Sequence, residues 1–374
     1  MLNYTGLFGI ERETLRVDSL RRLAQSPHPF GDDPHITRDF CENQVEIVTP
    51  VCTGIDQAVE SLKELDAHTR QVLSSMGEEI WLYSNPPHFS SEDDIPIAQF
   101  SGAQSSKRSY REVLQRKYGK RLMLFSGIHF NFSFSDETLR LLGADSQEKK
   151  DSLYLRLYKK LMTHSWLLVL LTAASPWYDR SLDKDGESGI IKSSFSSIRS
   201  SSRGYWNQFV PVLEHGDIQG FCRSIRSYVD KGMLYSSSEL YLPVRLKPRG
   251  VNSLEGLENS GVDHIELRMF DLNPLHPLGI DPTDLKFAYL LSLWLLDLPD
   301  IPFGPDEQLR AVRDHQTAAL LNVPEEYLSR ADEILTAMES HFSNDQTALG
   351  IISCEREKLS GRRPSLLLDI NDIF

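Results

Sequence analysis

The 374 residues carry 40 lysines and arginines against 53 aspartates and glutamates, a formal net charge of −13. That length suits one large domain or roughly two to three average ones, and a composition of 40% hydrophobic and 25% charged residues excludes a collagen, a coiled coil and wholesale disorder. The acidic balance argues against nucleic acid or an anionic membrane as partner, because such a surface repels phosphate.

In chain order, the first residues show no basic segment followed by an apolar run, so no secretory leader is expected. Leu7 to Val17 reads as a strand with Glu11 and Glu13 on one face and Ile10 and Arg12 on the other. Two carboxylates that close repel unless a cation or proton lies between them. His35 to Thr49 reads as one strand. Asp39 stands near its start, Glu42, Gln44 and Glu46 share a face, and Val45 and Ile47 face the other way. Gly54 to Ser75 is a helix by the spacing of Ile55, Ala58, Leu62, Leu65 and Val72. Leu122 to Phe134 is a long strand. Ile128, Phe130, Phe132 and Phe134 alternate there with His129, Asn131 and Ser133.

Asp151 to Ala174 reads as a helix closed by Ser175-Pro176. The stretch Ser193 to Tyr205 is rich in serine but interleaved with Phe195, Ile198, Arg199 and Arg203. Those side chains would be wasted on a tether, so the stretch is expected to be an anion-binding loop. Asp217 to Lys231 is a helix. Asp263 to Phe270 is a strand with Glu266 and Arg268 on one face. From Asp281 the chain reads as helical, with pieces at 281–298, 305–321 and 324–342. Apolar stretches at Trp166–Ala174 and Phe287–Leu298 are too short to span a bilayer and read as buried helices.

Strands that follow one another without crossover helices predict an antiparallel or mixed sheet, hence an α+β fold. Four of these strands offer a polar face rich in oxygen and nitrogen. A sheet with one face on helices would gather them into a single pocket, and carboxylates so crowded suit Mg²⁺ or Mn²⁺. The four cysteines form no CxxC pair, which excludes a zinc or redox motif and suits a reducing, cytoplasmic compartment. There is no P-loop, no GxGxxG after a strand, no HExxH and no GxSxG.

Together, Gly9-Ile10-Glu11-Arg12-Glu13, Asp39-Phe40, Glu46 to Pro50, Tyr110-Arg111-Glu112, Gly127 to Ser133, Leu240-Tyr241 and Ile265 to Arg268 resemble bacterial glutamate–cysteine ligases, in order from about Phe8 to about Asp281. The resemblance implies a glutamine-synthetase-like fold, an antiparallel sheet funnel packed on helices. It implies ATP as co-substrate, Mg²⁺ (or Mn²⁺), and small-molecule partners: L-glutamate, L-cysteine and ATP, with neither nucleic acid nor membrane. By motif it makes Glu11, Glu13, Asp39, Glu46, His129 and Glu266 metal ligands. Arg199, Tyr205 and Tyr241 would bind substrate, Arg111 and Arg268 would face the nucleotide, and Arg268 and Glu266 would be catalytic. The whole chain, 1–374, is expected to be one catalytic domain whose part from about 282 onward is helical. No ATP-grasp ligase domain follows, so the expected product is γ-glutamylcysteine. A related ligase using a different amine, or a non-catalytic homologue, are the alternatives. The crowding also predicts that Glu266→Gln leaves the metal-free protein as stable as before, or more so.

Overall fold

The computed structural model describes residues 5–100 and 106–361. Its strands and helices follow in chain order as β1 (Gly6–Asp18), β2 (Ile36–Thr37), β3 (Gln44–Val48), α1 (Ile55–Ser75), β4 (Glu78–Trp81), α2 (Ser106–Tyr118), β5 (Ile128–Phe134), α3 (Asp136–Leu141) and α4 (Gln147–Thr172). After them come β6 (Trp177–Asp179), β7 (Ile190–Lys192), α5 (Ile218–Asp230), β8 (Val244–Lys247), α6 (Leu254–Ser260) and β9 (His264–Phe270). Four helices close the described chain: α7 (Pro282–Asp297), α8 (Pro305–Ala318), α9 (Glu325–His341) and α10 (Gln346–Leu359).

The main sheet has seven strands in the order β2-β3-β1-β5-β9-β8, with β4 also paired to β1. Every pairing between its strands is antiparallel, so the α+β expectation holds. Strand β1 is the organiser. Its first half pairs with β5, its second half with β4, and β3 runs along its other side.

One face of this sheet is apolar because of the alternation in β5. Ile128, Phe130, Phe132 and Phe134 are buried with Phe8 and Ile10 against α4 and α7. Phe8 meets Tyr289 edge-on, and Phe134 stacks on Tyr154. Each such ring contributes about 1.5–3 kcal/mol by leaving water. Arg12 is the exception on this face: fully buried, it reaches Asp66 of α1 at 2.5 Å. The pair ties α1 to the sheet.

Several expectations need correcting. The stretch 35–49 is not one strand. It breaks between β2 and β3, because the Gln44 side chain accepts from the backbone N–H groups of Phe40 and Cys41 and closes a turn. Glu42 therefore leaves the face of Glu46. Its carboxylate accepts from His28 N and Gln99 N instead. The stretch 122–134 opens with a short 3₁₀ turn at Arg121–Leu124, and only Ile128–Phe134 is strand. Helix α4 begins earlier than expected because Ser146 caps it, accepting from Lys149 N. The helical reading from 282 holds as far as residue 361, with α10 added; 362–374 lie outside the described residues, as do Met1–Tyr4, on which the absence of a leader was read. Among the described residues no helix is long and apolar enough to cross a membrane.

Candidate active site

The strand register brings the polar side chains together. Glu13 lies opposite Glu46, Glu11 opposite His129, Asn131 opposite Glu266, and Glu266 opposite Arg245. Opposed residues point to the same side of a sheet, here the side away from the helices. All of them but Asn131 line a cavity of about 200 Å³. Glu11, Glu13, Asp39, Glu46, His129 and Glu266 all reach it. So do Arg199, Tyr205, Tyr241, Arg111 and Arg268. The eleven site candidates that the resemblance implies thus all border one cavity, whereas Glu42 and Arg203 do not.

The cavity has two electrostatic halves. In the first, Glu266 is surrounded by cations: Lys247 Nζ at 2.8 Å, Arg268 Nη1 at 3.1 Å and Arg245 Nη1 at 3.6 Å. Lys247 also pairs with Glu11 at 3.0 Å. Burial raises the Glu266 pKa, but Arg268, Lys247 and Arg245 outweigh it and hold the carboxyl well below its usual range. Burial and Glu266 likewise work against the charge on Glu11, yet Lys247 and His129 pull it down to about 2. Burial and Arg268 push His129 down to about 4, so its ring is neutral near pH 7. The neutral ring donates from Nδ1 to Glu11 (3.3 Å) and accepts at Nε2 from Arg199 Nη2 (3.3 Å).

In the second half the cations stand farther off, Arg199 and Arg268 acting on Glu13 and Lys247 on Glu46 only from beyond ion-pair distance. Among the described residues, neither Glu13 nor Glu46 has a lysine or arginine at ion-pair distance; His129 Nε2 lies 3.6 Å from Glu13. Burial, then Asp39, lifts Glu13 to about 8. Burial and the charges of Asp39, Glu11 and Glu13 raise Glu46 well above the carboxylate range. Asp39 sits at the rim, 3.9 Å from Arg111.

The cavity as a whole fits divalent cations on its chemistry. Glu11, His129 and Glu266 each offer a ligand atom within 4.8 Å of the others, and Glu13 and Glu46 add oxygens that, among the described residues, have no direct ion pair to a lysine or arginine. A set dominated by carboxylate oxygen favours Mg²⁺ or Mn²⁺ over softer metals.

The Ser/Arg stretch is built otherwise than expected. Its hydroxyls are spent inside the fold: Ser197 donates to Asp271, Ser196 to the Ala319 carbonyl and Ser201 to the Ile198 carbonyl. Arg203 turns outward to Asp183. From this loop the cavity receives Arg199 and Tyr205, and the Tyr205 ring leans on Tyr241 at 4.1 Å between centroids. Arg111 and Arg268, read together from the sequence, stand on different walls. Arg111 packs over Phe100 and donates to the backbone oxygens of Asp39 and Lys107, whereas Arg268 borders Glu266.

Sequence reasoning missed Arg245 and Lys247. The signal was the alternation Val244-Arg245-Leu246-Lys247, which in a four-residue strand looks like any solvated edge. Beyond Glu11 a second, more apolar cavity of about 400 Å³ opens between Leu7, Val51, Asn131 and His264.

Comparison with known proteins agrees with this geometry. The family described as "Glutamate-cysteine ligase" matches residues 2–231 and 223–318. The "Glutathione biosynthesis bifunctional protein GshAB" of Listeria monocytogenes is 36% identical over 352 residues, which covers 88% of this chain and 45% of that protein. The "Glutamate--cysteine ligase" of Clostridium acetobutylicum is 29% identical, covering 86% of this chain and 78% of that one. A crystal structure of the Francisella tularensis glutamate–cysteine ligase in complex with AMP superposes with a TM-score of 0.87 at 25% identity, over 97% of this chain and 84% of that one. The chain thus spans about half the length of the bifunctional relatives that it matches. Family match, fold and converging strand faces agree, and the chain belongs to the glutamate–cysteine ligase family.

Proposed function

We propose that the chain is an ATP-dependent ligase that joins the γ-carboxylate of L-glutamate to the amine of L-cysteine, the first step of glutathione synthesis. The observation that carries this reading is the divided cavity. Glu13 and Glu46, with no lysine or arginine at ion-pair distance among the described residues, lie beside a cationic wall of Arg268, Lys247 and Arg245. A metal–nucleotide complex needs both features.

In this reading Glu11, Glu13, Asp39, Glu46, His129 and Glu266 would hold Mg²⁺ or Mn²⁺. The bound ions would supply charge neutralisation at the phosphate oxygens. ATP brings its γ-phosphate to the Arg268 wall, and the apolar cavity beyond Glu11 has room for a base; a relative solved in complex with AMP supports an adenine nucleotide as a ligand. Arg199 grips an amino-acid carboxylate, and Tyr205 and Tyr241 wall its side chain.

A γ-carboxylate oxygen of glutamate attacks the γ-phosphorus and ADP leaves. The cysteine amine then attacks the acyl phosphate, phosphate departs, and the nitrogen loses a proton. Phosphoryl transfer of this type depends on positioning and charge more than on a protein nucleophile. Arg268, oriented by its bond to Glu266, stabilises the negative charge that builds up. Arg111 steadies Asp39 at the rim. The partners are the three small molecules. The cysteines are free and mostly buried, which suits a cytoplasmic location. We take residues 1–374 to act as one catalytic unit.

The test is ADP release with glutamate and a panel of amines. Release with cysteine above all others is expected. Release with a different amine moves the assignment within the ligases, and no release with any amine removes the catalytic reading.

A further inference from the structure

Arg199 reaches the cavity through a slot that exists only because Gly127 has no side chain. A Cβ at Gly127 would lie 2.5 Å from Arg199 Cζ, 2.7 Å from Nε and 2.8 Å from Nη2. The guanidinium fills the space that any other residue at 127 would take. Gly127 stands just ahead of β5, two residues before His129 and so on the same face. Arg199 passes over it to donate to His129 Nε2. Conformation does not demand a glycine here, since its φ is not positive. The Gly127 carbonyl accepts from Glu13 N, a bond that alanine keeps.

The backbone that carries Arg199 cannot step back to make room. Asp271, just after β9, accepts from Ser197 Oγ (2.9 Å), Ser175 Oγ (2.6 Å) and Ala174 N (3.0 Å). Ser197 in turn accepts from Ser200 N. On the other side Gly204 presses on the Arg199 carbonyl, where a Cβ would lie only 1.8 Å away. The peptide of Arg199 is pinned, and the long side chain is the only part able to yield.

We propose that Gly127 is a positioning residue for substrate binding, its bare Cα being the seat that aims the Arg199 guanidinium into the cavity. The proposal rests on the reading of Arg199 as the grip on an amino-acid carboxylate. A methyl group at 127 displaces the guanidinium from its seat and spares the fold, because the clash falls on the far end of a flexible side chain.

The experiment is a cycle of Gly127→Ala, Arg199→Ala and the double variant, with KM for each amino acid and for ATP, and melting temperature, measured on all three. Gly127→Ala is expected to raise the KM of one amino acid about tenfold or more, the loss of a charge-assisted fork. The KM of ATP stays within about twofold, and the change adds nothing in the Arg199→Ala background. If Gly127→Ala lowers the melting temperature, removing Arg199 restores it. A full Gly127→Ala effect that persists without Arg199, wild-type kinetics in the single variant, or an equal melting loss in both backgrounds overturns the proposal. Coupling of the two residues that appears in the KM of ATP upholds the seat and overturns the amino-acid reading of Arg199.

Discussion

Glu13 and Glu46 stand directly opposite one another on adjacent antiparallel strands, and among the described residues neither has a lysine or arginine at ion-pair distance. Burial and the neighbouring acids lift both carboxyls, Glu13 to about 8, so without metal the folded site must hold protons that the unfolded chain releases near pH 4.5. The metal-free protein therefore holds a local weakness at the centre of its sheet. Glu46→Gln should raise the melting temperature without metal, by roughly 2–4 °C for each kcal/mol relieved, and should abolish turnover. Mg²⁺ with nucleotide should raise the melting temperature of the wild type, since it binds only the folded site, and raise that of the variant less. Equal Mg²⁺-dependent shifts in the two proteins would remove Glu46 from the ligand set. Glu42 is the control: it bonds to the backbone at His28 and Gln99, and Glu42→Gln should keep turnover.

Glu266 behaves oppositely, and here the structure reverses the expectation from the sequence. Its carboxylate neutralises Lys247, Arg268 and Arg245 at 2.8–3.6 Å. Glu266→Gln takes away the carboxylate that three partly buried cations share, leaving Lys247 only Glu11. The metal-free protein should lose stability, on the order of 3 kcal/mol, rather than gain it. Urea unfolding in the absence of metal checks this. An unchanged midpoint would mean that solvent, not Glu266, balances those cations.

The contrast shows what could be read from the residues alone. The alternation in Gly127–Phe134 and His264–Phe270 needs no tertiary information, so the two faces of those strands were legible, whereas the six ligand candidates came only with the family resemblance. The sign of each carboxylate's surroundings was not legible. Lys247 lies far from Glu11 and Glu266 in the chain, and only the β8–β9 register sets it beside them. The break at Asp39–Asn43 was hidden for a similar reason: Gln44 looks like a strand residue, yet its side chain closes a turn. Arg12 read as a charge on a packed face, and its partner Asp66 was invisible until α1 had docked.

Arg268 offers a sharper kinetic test. It bonds to Glu266 through Nη1, and in the proposed reaction it is the group that meets the phosphate charge. Arg268→Lys keeps the charge and loses the planar fork. We expect kcat to fall by about a hundredfold or more, an oxyanion-donor-sized loss, with the melting temperature held within a few degrees. A larger rise in KM than fall in kcat would make Arg268 a binding group rather than a transition-state group.

The last prediction concerns pH, far from the cavity. Lys358 of α10 is buried between Asp284 of α7 and Glu355 of its own helix, at 3.0 Å from the latter. One cation faces two carboxyls, with Asp281 also nearby. Burial, then Asp284, lifts Glu355 to about 8, despite the opposing pull of Lys358. The folded protein thus holds a proton that the unfolded chain releases near pH 4.5. Stability from this source is complete below about pH 4.5 and drains away as pH climbs through about 8. One proton gives a slope of at most about 1.4 kcal/mol per pH unit. Glu355→Gln mimics the protonated carboxyl, so it should cost little at pH 5.5 and flatten the decline above it; Asp284, also raised by burial, keeps part of the slope. Urea unfolding at pH 5.5, 6.5 and 7.5 compares the two proteins. Parallel stability curves would show that Glu355 is ionised throughout, with Lys358 balancing it alone.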